Sequence, residues 1–303
     1  MLKLDHTNLV ILPGMPRAGT TTIFAWLARH PQIFAPWRKE PTYFSQNFGK
    51  GESWYRRFYA GLGPDQIGID ASTEYFVNPL SPERMIAFDP KLRAILIVRD
   101  PVDWVISLYA RIRRVAATGP FEEFIQGFHY SRGGGGLQVK MGPGFVIRQI
   151  DLFRQAFRQN VLLIDFRLIA ADPLRVLTAI EQFIGIPAYF ADSGVQALRL
   201  NSRTERTMGP VEWLMTREPV LSILGSIVPS KVMAGLRQRY ERGMATTEDD
   251  RPVEAPGQRA LAERIFGEDR RLVCRLFEDA PIILGDGQPF GAPVAPPARL
   301  GHG

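Results

Sequence analysis

The sequence predicts an α/β fold, a central parallel sheet flanked by helices, and three observations carry that expectation. Short apolar runs recur at Leu9 to Leu12, Ala94 to Val98 and Val161 to Ile164. Stretches with helical spacing of apolar residues separate these runs. The first two runs end in turn or helix-start chemistry, Pro13-Gly14 after one and Arg99-Asp100-Pro101 after the other. Apolar runs without alternation belong to strands covered on both faces, and ligands of such sheets bind beyond the carboxyl ends of the strands.

The elements follow in order. Thr21 to His30 sets Ile23, Trp26 and Leu27 at helical spacing, so the chain opens as strand, loop and helix. After the second run, Asp100 is placed as an N-cap, Pro101 as the first helical residue and Asp103 as the acidic residue of the first turn. That helix keeps Val102, Val105, Ile106, Tyr109 and Ile112 on one side. The same Asp-Pro opening recurs at Asp172-Pro173, with Gly185 set to end the helix. Three segments read as irregular: Ser131 to Gly144 with its run of glycines, Met244 to Gln258, and Gly285 to Gly303. One domain over residues 1–284 and a frayed Pro/Gly-rich tail over 285–303 are therefore expected.

At 303 residues and 45% hydrophobic content, the chain can bury a substantial core. No stretch approaches the roughly 20 consecutive apolar residues of a membrane span. Lys3, Asp5 and His6 precede only a short apolar run, so a soluble, cytoplasmic protein is expected. Cys274 is the sole cysteine, which excludes an internal disulfide, and four scattered histidines do not suit a zinc cluster. Lying in an apolar-periodic helix, Cys274 reads as a small buried hydrophobe. A net charge of +6 and a pI near 9.6 suit an anionic ligand. The basic residues are spread over many elements with no Lys-rich tail, which speaks against nucleic acid.

Gly14-Met15-Pro16-Arg17-Ala18-Gly19-Thr20-Thr21 joins the first strand to the first helix, so backbone N–H groups and the helix N-terminus converge on one point. The glycine spacing matches a Walker A loop. Thr20, however, stands where that loop has its lysine, and the cation appears two residues before the second glycine, at Arg17. A nucleoside triphosphatase would lose its β/γ-phosphate clamp by this change. Alone, the segment also reads as a Gly/Pro turn with solvent-facing threonines, and other segments must decide.

Pro16-Arg17-Ala18-Gly19-Thr20-Thr21 resembles the 5′-phosphosulfate loop of sulfotransferases, usually Pro-Lys-x-Gly-Thr-Thr. Lys39-Glu40-Pro41-Thr42-Tyr43-Phe44 resembles a segment of the branch that includes the heparan sulfate sulfotransferases, as does Trp54-Tyr55 after Lys50-Gly51. Asp70-Ala71-Ser72-Thr73-Glu74-Tyr75-Phe76 occupies the place of that branch's Glu-Lys-Ser/Thr-Pro-x-Tyr-Phe, and Arg99-Asp100-Pro101 with Ser107 resembles its 3′-phosphate motif. The likeness continues from Ile150 to Pro187 and fades over the last third.

That resemblance implies a P-loop-like sulfotransferase fold. It also implies 3′-phosphoadenosine 5′-phosphosulfate (PAPS) as co-substrate, 3′-phosphoadenosine 5′-phosphate (PAP) as product, and no metal. Arg17, Ala18, Gly19, Thr20 and Thr21 would hold the 5′-phosphosulfate, with Arg17 also stabilising the leaving phosphate. Arg99 and Ser107 would hold the 3′-phosphate; the alternatives are an ion pair of Arg99 with Asp100 or Asp103, and an ordinary helical serine. Glu40 is the first candidate base and Asp70 the second, against a surface Lys-Glu pair and a capping carboxylate respectively. Lys39, if it points inward, would oppose a raised pKa at Glu40. Two departures from the branch are Ala71 for its lysine and Thr73 for its proline. His30 reads as a residue that caps the end of a helix.

A P-loop kinase using ATP, with Asp165 ending a Walker B strand, and a non-catalytic nucleotide-binding module are the rival readings. The acceptor is a hydroxyl or amine of unidentified type, small-molecule, glycan or carrier-bound. Trp37, Tyr43, Phe44, Trp54 and Tyr55 line its pocket or else form core. The sequence leaves the oligomeric state open.

Overall fold

The structure is a computed structural model that describes residues 8–36, 38–115, 118–130, 137–191 and 254–290. β1 (Leu9–Ile11) leads to α1 (Thr20–Leu27) and β2 (Ile33–Phe34). α2 (Glu52–Arg56) precedes β3 (Ile67–Asp70), and α3 (Ser81–Phe88) precedes β4 (Arg93–Val98). α4 (Pro101–Val115), α5 (Phe121–Phe124), β5 (Gly127–Tyr130) and β6 (Leu137–Lys140) follow. Next come α6 (Phe145–Phe157), β7 (Val161–Asp165), α7 (Phe166–Ala171) and α8 (Pro173–Ile184). α9 (Gln258–Leu276) and β8 (Ile282–Leu284) close the described chain.

The main sheet has the order β2-β3-β1-β4-β7-β8, parallel from β2 to β7 with β8 antiparallel at the edge. All of β7 and β4 from Ala94 onward are buried. Because successive strand residues face opposite sides, uninterrupted burial means that both faces are covered, as the apolar runs predict. The helix starts also form as expected. Asp100 Oδ1 accepts from the N–H groups of Val102 and Asp103, Asp172 Oδ1 accepts from Arg175, and Gly185 ends α8 in the left-handed region.

Two segments differ from the sequence reading. Leu137–Lys140, inside the stretch expected to be irregular, pairs antiparallel with Gly127–Tyr130. Val139 and Phe128 turn inward while Gln138 and Lys140 stay exposed, a period-2 pattern that the neighbouring glycine run obscures. Residues 285–290 fold back on β8: Leu284 N–H donates to the Gln288 carbonyl at 2.8 Å and Phe290 N–H to that of Ile282 at 2.9 Å. The remaining parts of the three segments, 131–136, 244–253 and 291–303, lie outside the described residues.

α9 buries Ala262, Phe266, Asp269 and Val273, a stripe at helical spacing against α4 and α6. Cys274 sits one residue past the stripe and is exposed, contrary to the expectation of a buried thiol, because the phase of the helix turns it outward. Asp269 is the polar member of the stripe. Gly144, the N-cap of α6, has no side chain to offer, and Asp269 does the capping from across the helix interface. Its Oδ2 accepts from Gly144 N–H at 2.6 Å and its Oδ1 from Ile147 N–H at 2.9 Å. Arg259 and Arg270 of α9 pair with Asp103 and Asp100 at the start of α4, at 3.0 and 2.7 Å.

At the end of β3, Asp70 is fully buried. Its Oδ2 accepts from the hydroxyls of Tyr55 and Tyr75, both at 2.8 Å, and its Oδ1 from Ser72 N–H at 3.1 Å and Ser72 Oγ at 2.6 Å. Burial raises its pKa from 3.8 to about 6, while the hydrogen bonds from Ser72, Tyr75 and Tyr55 act in the opposite direction. The same burial, and the carboxylate beside them, push the Tyr55 and Tyr75 hydroxyls upward, so they stay donors.

Two outcomes are expected. Asp269→Ala leaves two partly buried N–H groups at the α6 terminus without their acceptor and should lower unfolding stability by about 1–2 kcal/mol in chemical denaturation. A loss below ~0.5 kcal/mol would mean that the cap is not needed. For Asp70, the folded chain holds its proton more tightly than the unfolded chain. Its contribution is therefore full below the unfolded value and is lost as pH rises from 3.8 through about 6. Across that window the wild type should lose on the order of 1–3 kcal/mol relative to Asp70→Asn. Parallel stability profiles for the two proteins would contradict the assignment.

Candidate active site

The loop from Leu12 to Gly19 emerges between β3 and β4 and is held by both. Leu12 N–H donates to the Asp70 carbonyl at 2.7 Å and Met15 N–H to the Ile97 carbonyl at 2.9 Å. Ala18 N–H returns to the Met15 carbonyl at 3.1 Å and tightens the turn. Gly14 has φ 139°, and a Cβ there would lie 2.7 Å from Phe76 Cβ. Gly19 has φ 77° and puts α1 at the loop's end with no capping side chain, so the first-turn N–H groups of Thr20 and Thr21 face outward along the helix axis. Thr20 is buried and Thr21 exposed.

Arg17 takes a left-handed backbone conformation, φ 63°, uncommon for a residue with a side chain. Arg99, at the end of β4, donates from Nη1 to the Arg17 carbonyl at 2.8 Å, and its guanidinium lies over the Phe166 ring, 4.9 Å from the centroid. Burial lowers the Arg99 pKa from its ordinary value, and the nearby Arg17 charge lowers it further against Asp103 and Asp100. Among the described residues, Asp100 and Asp103 are ion-paired to Arg270 and Arg259, not to Arg99. The Arg99 guanidinium is thus tied to the loop that leads into α1, close enough to the Arg17 charge for the two to repel, an arrangement that an anion would stabilise. Ser107 faces inward from α4, which starts at Pro101 as expected, and is 4% exposed.

Lys39 and Glu40 form the other wall. The Lys39 ammonium points into the protein, donating to Thr21 Oγ1 at 3.1 Å and to Glu40 Oε1 at 3.2 Å. Their side chains are only 9% and 13% exposed, so this is not a surface pair. Backbone contacts fix the segment: Ala71 N–H donates to the Lys39 carbonyl at 3.3 Å, and Thr42 N–H to Ser72 Oγ at 3.0 Å. Ser72 in turn donates to Asp70, so the Asp70 carboxylate acts on Glu40 through Ser72 and Thr42. With four donors on its two oxygens and no exposed surface, Asp70 is placed to position its neighbours.

The structure therefore brings together Arg17, Ala18, Gly19, Thr20, Thr21, Arg99 and Glu40 around the loop, and sets Asp70 behind it. Sequence reasoning left the direction of Lys39 open, and the structure turns it inward, toward Thr21 and Glu40. Tyr43, Phe44 and Tyr55 are buried, with the Tyr43 and Tyr55 rings stacked 4.6 Å apart and Phe44 meeting both edge-on, so these aromatics are core. Trp54 packs on Phe58 and beneath Lys50, and Trp37 lies outside the described residues. His30 is also structural: its Nδ1 accepts from Gln32 N–H, so Nε2 donates to the Pro187 carbonyl at 3.1 Å. Asp165 caps α7 and binds the Arg167 guanidinium.

Comparison with known proteins bears on this geometry. Residues 7–209 match the sulfotransferase domain family. The chain is similar to the bifunctional heparan sulfate N-deacetylase/N-sulfotransferase 1 of Xenopus laevis, 27% identical over 197 residues that cover 60% of this chain and 22% of that protein. It is also similar to the heparan sulfate glucosamine 3-O-sulfotransferase 3B1 of Homo sapiens, 27% identical over 187 residues that cover 60% of this chain and 47% of that protein. The chain thus spans about a fifth of the length of the first relative and about half of the second. Among solved structures, mouse sulfotransferase SULT7A1 complexed with PAP shares the fold at TM-score 0.51, with 18% identity over 90% of this chain and 89% of that one. With more than half of its length matched to one family, the chain belongs to the sulfotransferase domain family.

Proposed function

We propose that this chain transfers a sulfuryl group from PAPS to a hydroxyl or amine. The observation that carries the reading is that Arg99 reaches the Arg17 carbonyl in the loop that leads into the capless N-terminus of α1, while the nearest acidic residues of α4 are paired elsewhere. These residues fit a ligand with phosphate groups at both ends of its ribose. Arg17, Gly19, Thr20 and Thr21 hold the 5′-phosphosulfate through guanidinium, backbone N–H and hydroxyl donors, with Ala18 in the same turn. Arg99 and Ser107 hold the 3′-phosphate.

The reaction needs alignment, cationic help at the bridging oxygen, and a base. The acceptor oxygen or nitrogen forms a bond to sulfur while the bond from sulfur to the bridging oxygen breaks. The electron pair stays on the phosphate, giving PAP, and the acceptor proton goes to Glu40. Glu40 is favoured as base because it lies beside Thr21, through Lys39, and retains some exposure. Asp70 is a positioning residue that keeps the 39–42 segment in place. A kinase is opposed by Thr20 in place of the Walker lysine and by Asp165 serving as a helix cap. No helix of the described residues is long and apolar enough to cross a membrane, and the exposed single thiol suits a reducing compartment, so we place the reaction in the cytoplasm.

Calorimetry should show PAP binding roughly 10- to 100-fold more tightly than adenosine 5′-phosphate, the gain from charge-assisted bonds to the 3′-phosphate. Arg99→Ala should erase that difference, and equal affinities in the wild type would remove Arg99 and Ser107 from the site. For the chemical step, labelled PAPS is supplied with a panel of hydroxyl and amine acceptors. Glu40→Gln should slow transfer by about 10²- to 10⁴-fold with PAP affinity nearly unchanged. Asp70→Asn should slow it less. A near-normal rate in Glu40→Gln together with collapse in Asp70→Asn would move the role of base to Asp70.

A further inference from the structure

The Lys39 side chain is nine-tenths buried, and a buried ammonium needs partners. It has two among the described residues, and they belong to opposite sides of the site. Thr21 is the second residue of the helix that ends the loop; Glu40 is the carboxylate proposed above as the base. A surface Lys-Glu pair would need neither burial nor contact with the loop. The direction of Lys39 is set by the backbone, since Ala71 N–H holds its carbonyl and Ser72 holds Thr42 three residues on. Ala71 itself brings no charge to this wall. An ammonium carries three N–H donors, and two are used among the described residues.

We propose that Lys39 is a catalytic residue that donates to an oxygen of the migrating sulfuryl group. The inference rests on the PAPS reading given above. In an in-line transfer, sulfur lies between the leaving phosphate and the incoming acceptor atom. A cation bridging the donor loop and the base lies at that midpoint, whereas Arg17 serves the leaving phosphate. As the bond from sulfur to the bridging oxygen breaks and the bond to the acceptor forms, Lys39 keeps its proton and stabilises the charge spread over the sulfuryl oxygens. The acceptor proton passes to Glu40. Lys39 also orients that carboxylate through its bond to Oε1.

The test uses the full chain with PAPS and PAP as separate probes. PAP lacks the sulfuryl group, so Lys39→Met should leave PAP affinity within about twofold, weaken PAPS by at least ~10-fold, and slow conversion of PAPS to PAP by about 10²-fold. Lys39→Arg, which restores a cation, should recover part of both losses. If the wild type binds PAP but Lys39→Met keeps normal PAPS affinity and rate, the proposal is overturned while the donor reading stands. If Lys39→Met weakens PAP and PAPS equally, Lys39 only supports the loop and the proposal is again overturned. A wild type that binds neither nucleotide overturns the donor reading and this inference with it.

Discussion

Asp70 stands at the carboxyl end of β3 with its backbone carbonyl accepting from Leu12 and its carboxylate accepting from Ser72, Tyr55 and Tyr75. The first contact aligns the strand that feeds the phosphate loop. The second, relayed by Ser72 to Thr42, aligns the segment carrying Lys39 and Glu40. Burying a carboxylate is costly unless its lone pairs are met, and here four donors meet them. The residue that raised the question of a second base thus serves as the joint between the loop after β1 and the segment that carries Lys39 and Glu40. Its geometry matters because a misplacement of about 1 Å can cost a transfer reaction two orders of magnitude.

Around that joint the loop carries conformations that ordinary residues avoid. Arg17 sits at φ 63°, a conformation that costs on the order of 1 kcal/mol for a residue with a Cβ. The bond from Arg99 to the Arg17 carbonyl and the return of Ala18 N–H to Met15 hold it there. The same bond brings two like charges near each other. Repulsion between them disfavours the free arrangement and strengthens its attraction for an anion, which accords with the doubly phosphorylated nucleotide we propose.

The distal helix α9 completes the arrangement from outside. Its arginines occupy Asp100 and Asp103, leaving Arg99 to turn toward the loop. Its Asp269 caps α6 in place of the side chain that Gly144 lacks. Packing of the C-terminal part of the chain therefore influences which partner an arginine at the site takes, though α9 touches the loop with none of these contacts.

Much of this architecture is legible in the amino-acid sequence. The strands at β1, β4 and β7, the Asp-Pro helix starts, the Gly185 stop and the Arg17 loop all follow from local pattern, because apolar periodicity, proline geometry and capping act within a few residues. The rest depends on partners distant in sequence. Lys39 reads as one half of a surface pair until Ala71 and Ser72 fix its backbone and Thr21 receives its ammonium. Asp70 reads as a second candidate base or a capping carboxylate until two tyrosines and a serine close over it. The phase of α9 turns Cys274 outward, and antiparallel pairing draws β6 out of a stretch dominated by glycine. By itself the sequence determined which residue types stand at the strand ends and what anion chemistry they can offer. Only the tertiary structure decided where each side chain points, because a buried charge takes its direction from whichever donors and acceptors the fold places within reach, and those lie far along the chain.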